Sequence, residues 1–220
     1  MPGLSQDQMG DARRCQSDAY VAIANMTVGS DGNLWGAALG ATTIYRMNLN
    51  GKKKAFSGGI SGGLAALTRG PDGNVWFAES SSPYVGRITP NGTIAQFGPT
   101  SCTGGMNNWD ITTGSDNNLW FTERSGSCIG RITPDGALTE YSNGLLTGVN
   151  PVCIVNGPDG ALWFGTDTGS AIGRITTSGA VSMYTNGITS GSSPQCLTLG
   201  PDGNIWFTEW NGGRVGKFVM

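Results

Sequence analysis

The sequence predicts an all-β protein, a β-propeller of five four-stranded blades, and three observations carry that prediction. The first is a tryptophan-anchored turn repeated five times: Gly29-Ser-Asp-Gly-Asn-Leu-Trp35, Gly70-Pro-Asp-Gly-Asn-Val-Trp76, Gly114-Ser-Asp-Asn-Asn-Leu-Trp120, Gly157-Pro-Asp-Gly-Ala-Leu-Trp163 and Gly200-Pro-Asp-Gly-Asn-Ile-Trp206. The tryptophans lie 41, 44, 43 and 43 residues apart, a period that marks propeller blades, whereas the coils of a parallel β-helix are about half as long. The second observation is that each unit divides into four strand-length segments. The third is glycine: 37 of 220 residues, against a usual share of about 7%. Beyond Val28 no glycine-free run exceeds the 12 residues Asn74 to Val85, which include Pro83. Helices do not tolerate that punctuation.

Within each unit, strand a carries an apolar residue nine positions before the tryptophan (Met26, Leu67, Ile111, Ile154, Leu197). The Pro-Asp-Gly corner follows, with proline presetting φ, aspartate bonding its own backbone and glycine taking the left-handed residue. Strand b is the Leu-Trp-Phe-Thr-Glu segment. Strand c is Ile-Gly-Arg-Ile, in the forms Ile44-Tyr-Arg-Met, Val85-Gly-Arg-Ile, Ile129-Gly-Arg-Ile, Ile172-Gly-Arg-Ile and Val215-Gly-Lys-Phe. A second turn leads to strand d, which ends in Phe56, Phe97, Tyr141 or Tyr184, and the fifth copy stops before it. At about 43 residues per unit, 220 residues make one domain (1–220) with blade cores near 20–57, 62–98, 106–142, 150–185 and 193–220. Residues 1–19 are expected to supply the missing strand d and close the ring, because Gly3 to Met9 echoes Gly136 to Tyr141. A closed ring has no free edge and predicts a monomer; an open one predicts a strand-exchanged oligomer.

Composition removes several functions. With no histidine, an imidazole base, a histidine metal ligand and a histidine-containing triad are all excluded. Thirteen Lys and Arg against fifteen Asp and Glu, net −2, is not the footprint of a nucleic-acid binder. Lys52, Lys53 and Lys54 follow an Asn50-Gly51 turn signal and read as a solvated hairpin. No apolar run is long enough to span a membrane, and Met1 to Cys15 has no secretion-leader pattern. Five cysteines in a Gly/Ser/Thr-rich chain lean toward an oxidising, extracellular setting, with an odd thiol left over.

Gly200-Pro-Asp-Gly-Asn-Ile-Trp-Phe-Thr-Glu209 together with Ile129-Gly-Arg-Ile-Thr-Pro-Asp-Gly136 resembles the blade consensus of the streptogramin lyases, also called virginiamycin B lyases, over about residues 20 to 220. The resemblance implies a scaffold whose members have seven blades and linearise cyclic streptogramin B antibiotics by elimination at the ester bond, with a magnesium ion. It also implies catalytic histidines in a Pro-His-x-Ile element at the start of strand a in late blades. Here Pro151-Val152-Cys153-Ile154 and Pro194-Gln195-Cys196-Leu197 put valine and glutamine at those places. Neither acts as a base near neutral pH. The expectation is therefore a scaffold without the lyase base, binding a small molecule or glycan at its channel mouth, with no cofactor. The alternatives are a magnesium-dependent lyase and a structural propeller fragment.

Connections from d to a and from b to c share one propeller face, which makes Trp109, Asp110, Arg124, Gln195 and Trp210 the candidate ligand-binding residues. Glu209 and Glu123, at the glutamate position of Trp-Phe-Thr-Glu, are the catalytic candidates, and no group has metal-motif spacing. Glu79, Glu123 and Glu209 recur at one repeat position and Arg87, Arg131, Arg174 and Lys217 at another, which suggests ion pairs or backbone hydrogen bonds within each blade. Cys102 and Cys128 fall on the same face and are a candidate disulfide. Cys153 and Cys196, at equivalent positions on neighbouring inner strands, read as small buried side chains, with a disulfide as the alternative.

Overall fold

The computed structural model describes residues 23–102 and 107–220. Among the described residues, nineteen strands form five antiparallel sheets in simple sequential order. Blade one is β1 (Ile23–Val28), β2 (Leu34–Ala38), β3 (Ile44–Met47) and β4 (Lys53–Phe56); blade two is β5 (Leu64–Arg69), β6 (Val75–Glu79), β7 (Val85–Ile88) and β8 (Ile94–Phe97). Blade three is β9 (Asn108–Thr113), β10 (Leu119–Glu123), β11 (Cys128–Ile132) and β12 (Leu138–Tyr141); blade four is β13 (Pro151–Asn156), β14 (Leu162–Thr166), β15 (Ile172–Ile175) and β16 (Val181–Tyr184). Blade five has three described strands, β17 (Pro194–Leu199), β18 (Ile205–Glu209) and β19 (Arg214–Phe218). The expected closing strand, residues 1–19, lies outside the described residues.

One aspartate organises each blade. In all five turns its Oδ1 accepts the indole N–H of the tryptophan four residues on, at 3.0 to 3.1 Å. Its other oxygen meets the strand-c cation in four blades: Asp31 with Arg46, Asp72 with Arg87, Asp159 with Arg174 and Asp202 with Lys217. Arg87, Arg174 and Lys217 therefore pair with turn aspartates, not with Glu79, Glu123 or Glu209, while Arg131 lies over Trp120 and donates to the Thr177 carbonyl at 3.4 Å. Cross-strand register explains this correction: Arg87 lies opposite Trp76, and Arg174 opposite Trp163, at the turn end of the sheet. The glutamates end strand b at the other edge. Two backbone positions show the same economy. The left-handed corner is glycine in four turns, as at Gly73 (φ 79°), while blade three uses Asn117 (φ 57°), which tolerates that region. In strand c, a Cβ on Gly130 would fall 2.0 Å from the Phe121 ring, so the ring fills the space that a side chain would need.

The core lies between blades. Trp35 and Ile44 of blade one pack with Leu67 and Phe77 of blade two, and three further clusters repeat this contact around Trp76, Trp120 and Trp163. The strand-d aromatic of the same blade stacks on each tryptophan, at 5.1 to 5.6 Å between centroids. At the ends of the series this cover is missing among the described residues. Met26 and Val28 on blade one are 50% and 56% exposed, Leu199 and Val215 on blade five 45% and 67%, and Trp206 is half-buried where the other four anchors are at most 1% exposed.

Candidate functional site

The inner ends of the blades gather the non-repeated residues. Each d-to-a connection is hydrogen-bonded to the b-to-c turn of its own blade: Arg124 N–H to the Asn107 carbonyl (2.9 Å), Asp167 N–H to Asn150 (2.8 Å) and Trp210 N–H to Ser193 (3.0 Å). These bonds put both sets of loops on one face and fix their side chains relative to the strand ends.

A polar network crosses blades three, four and five on this face. The Arg124 guanidinium lies over the Trp109 ring, 4.7 Å from its centroid, and forms an ion pair with Asp167. The other Asp167 oxygen accepts the Gln195 amide at 2.7 Å and the Ser193 hydroxyl at 3.2 Å. Burial opposes the charge on Asp167, but Arg124 and these donors hold its carboxyl below the usual range. Three of the predicted ligand-binding residues, Trp109, Arg124 and Gln195, are thus brought together by Asp167. Its role was missed because it occupies a turn; the signal was the break in the repeat at Thr166-Asp167, where blades two, three and five end strand b in glutamate.

The remaining candidates lie apart from that network. Trp210 is 71% exposed and Val152 is buried, its carbonyl accepting the Thr122 hydroxyl at 2.6 Å. Asp110 lies on the inner strand, where its oxygens accept the N–H groups of Ile111 and Ile154, each at 2.9 Å; desolvation there pushes its carboxyl up. Both Glu209 oxygens are bonded to Thr189, to its N–H and its hydroxyl, each at 2.9 Å, and the N–H bond in particular holds the group low. Glu123 is 1% exposed with one oxygen lacking a partner, and it is pushed up to about 8 by burial and by its neighbour Glu140. Glu140 is bonded by the Ser101 N–H and hydroxyl, which outweigh its own burial and hold it low.

Magnesium requires several oxygen ligands in near-octahedral order. Among the described residues, Cys102, Glu123 and Glu140 come within metal-binding reach of one another. Cys102 is bound to Cys128 in a disulfide, with 6.4 Å between their α-carbons, and Glu140 is committed to Ser101. Glu209 and Asp110 are likewise saturated by protein donors. One free carboxylate oxygen does not fit a magnesium site. The disulfide closes a 26-residue span, so its removal as Cys102→Ala/Cys128→Ala is expected to cost about 3 kcal/mol in urea unfolding.

The thiols of Cys153 and Cys196 also depart from expectation. Cys153 is half-buried and Cys196 exposed, not buried, because among the described residues no inner strand follows β17 to cover it.

A five-blade ladder with this tryptophan, aspartate and arginine repeat defines a β-propeller of the lyase type. The virginiamycin B lyase family model matches residues 15–220, and the chain belongs to that family. It is similar to virginiamycin B lyase from Staphylococcus aureus, solved as a catalytically inactive histidine-to-alanine variant with quinupristin: 35% identity, TM-score 0.84, over 92% of this chain and 68% of that one. The selenomethionine form of the same lyase matches at 34% identity and TM-score 0.79, over 91% and 70%. The extracellular domain of a one-component system from Bacteroides thetaiotaomicron shares the fold at 15% identity and TM-score 0.72, over 93% of this chain and 28% of that one. Among curated proteins, none matches the chain.

Proposed function

We propose that this chain is a ligand-binding member of the lyase family that holds a cyclic depsipeptide at its mouth without opening it. The observation that carries the reading is Gln195. It stands where the family resemblance puts a histidine, and its amide is tied to Asp167 beside Arg124 and Trp109. An amide neither takes nor gives a proton near neutral pH, so the position orients and does not abstract. The related lyase whose histidine is replaced by alanine is inactive yet was solved with quinupristin, which supports binding that outlasts the loss of a base. Trp109 under a guanidinium offers a flat, amphipathic platform for a macrocycle. The reading needs no cofactor, nucleic acid or membrane surface, and the Cys102–Cys128 bridge suits an extracellular setting.

Calorimetric titration with quinupristin tests it. Binding is expected in the wild type, with affinity reduced about tenfold in Arg124→Ala, and the ligand is expected to keep its chromatographic retention in the presence of magnesium. Elimination leaves mass unchanged, so retention is the readout. Ring opening that disappears in Glu209→Gln would instead establish a lyase.

A further inference from the structure

Five side chains stand ten residues before the anchor tryptophans: Asn25, Ala66, Asp110, Cys153 and Cys196. The polar ones obey a common geometry. Asn25 Oδ1 accepts the N–H of Leu67 on the next inner strand at 3.0 Å, and Asp110 Oδ2 accepts that of Ile154 at 2.9 Å. Cys153 stands at the same position and packs against the cluster that contains Leu197 of the next inner strand. A side chain at this position therefore reaches across to the residue after its counterpart on the next blade. For Cys153 that counterpart is Cys196, at the equivalent position of β17, the inner strand packed against β13.

We infer that Cys153 and Cys196 are a redox dithiol site, which reacts with low-molecular-weight disulfides to form a bridge between blades four and five. The two sulfurs are unequal. Cys196 is exposed and its thiol is drawn down to about 6 by the Cys153 thiol, with the Thr208 hydroxyl adding to the effect. Cys153 is half-buried and pushed up by Cys196, by burial and by Asp110. Cys196 is the attacking thiolate and Cys153 the resolving group. In the first step the Cys196 sulfur attacks a disulfide RSSR, forming a protein–SR bond and releasing RS⁻. In the second, Cys153 loses its proton and displaces the second RS⁻ from Cys196. The two thiolates take up the two protons, so one disulfide is reduced to two thiols as one protein disulfide forms. The bridge would fasten β13 to β17 next to Gln195, across an interface otherwise held by the cluster around Trp163 and Phe207.

Oxidised glutathione is the probe, used on the full chain carrying Cys15→Ser so that only this pair remains free among the cysteines. Peptide mapping after alkylation should find Cys153 linked to Cys196, reversibly with dithiothreitol. Cys153→Ser should stall with glutathione on Cys196, and Cys196→Ser should react at Cys153 about tenfold more slowly or less. Glutathione that accumulates on Cys196 of the parent without a Cys153 link, or equal rates in the two single variants, would overturn the inference. Both variants should keep the wild-type urea unfolding midpoint, so that a failure to bridge is not a failure to fold.

Discussion

Trp120→Ala will lower the unfolding free energy by about 3–5 kcal/mol, while Trp206→Ala at the same repeat position will cost about 1 kcal/mol. The two residues have the same local chemistry. Each donates its indole N–H to a turn aspartate at 3.0 Å, and each follows a corner with one left-handed residue, Asn117 or Gly203. What differs is the next blade. Trp120 is fully buried, packed with Ile154, Leu162, Phe164 and Ile175 of blade four, and stacked on Tyr141 at 5.5 Å. Removing it leaves a cavity between two sheets that cannot collapse without breaking their register. Trp206 is half-buried, with the Lys217 ammonium 5.5 Å from its ring centroid and no cluster around it among the described residues. Urea midpoints of the two variants measure the contrast. Equal losses would mean that blade stability resides in each sheet and not in the contact between neighbours.

The same contrast explains what was legible in the sequence. A blade must repeat its hydrogen bonds and packing to fit its neighbours, so the tryptophan, the turn aspartate and the strand-c glycine recur and can be read from spacing alone. The ion pairs were also written there, at the fifteen-residue interval from Asp72 to Arg87 and from Asp159 to Arg174. Recurrence of glutamate suggested another partner, and only strand register separates the two. The mouth is harder to read for the opposite reason. Arg124, Asp167 and Gln195 come from three blades, each occurs once, and nothing periodic marks their meeting. Glu123 is harder still: its repeat position is shared with Glu79 and Glu209, yet the three have different partners. Glu79 is fully buried and takes the Gly62 N–H at 2.6 Å together with donors from Ser82 and Gln96. At the strand-d position where blade two has Gln96, blade three has Glu140, so an amide donor is replaced by a second carboxyl.

That replacement makes stability fall with rising pH. Glu123 is pushed up to about 8, first by burial and then by the Glu140 charge, from an ordinary 4.5. Between those values the folded chain keeps a proton that the unfolded chain has released, so each pH unit of increase removes up to ~1.4 kcal/mol of stability. The loss begins near pH 4.5, ends near pH 8, and totals on the order of 5 kcal/mol. Glu140 acts in the other sense and in another range: held low, it contributes stability above its unfolded pKa that disappears only as the solution becomes more acidic. Asp110, also raised by burial, adds a slope of the same sign as Glu123. Glu123→Gln restores the amide-to-carboxylate pairing of blade two and removes the titrating group. The variant should therefore match the wild type near pH 5, exceed its stability at pH 8, and show a flatter profile between. Urea unfolding at half-unit intervals from pH 5 to 8 gives both curves. Parallel slopes would show that Glu123 is already ionised beside Glu140, with a cation or water supplying the compensation that burial otherwise demands.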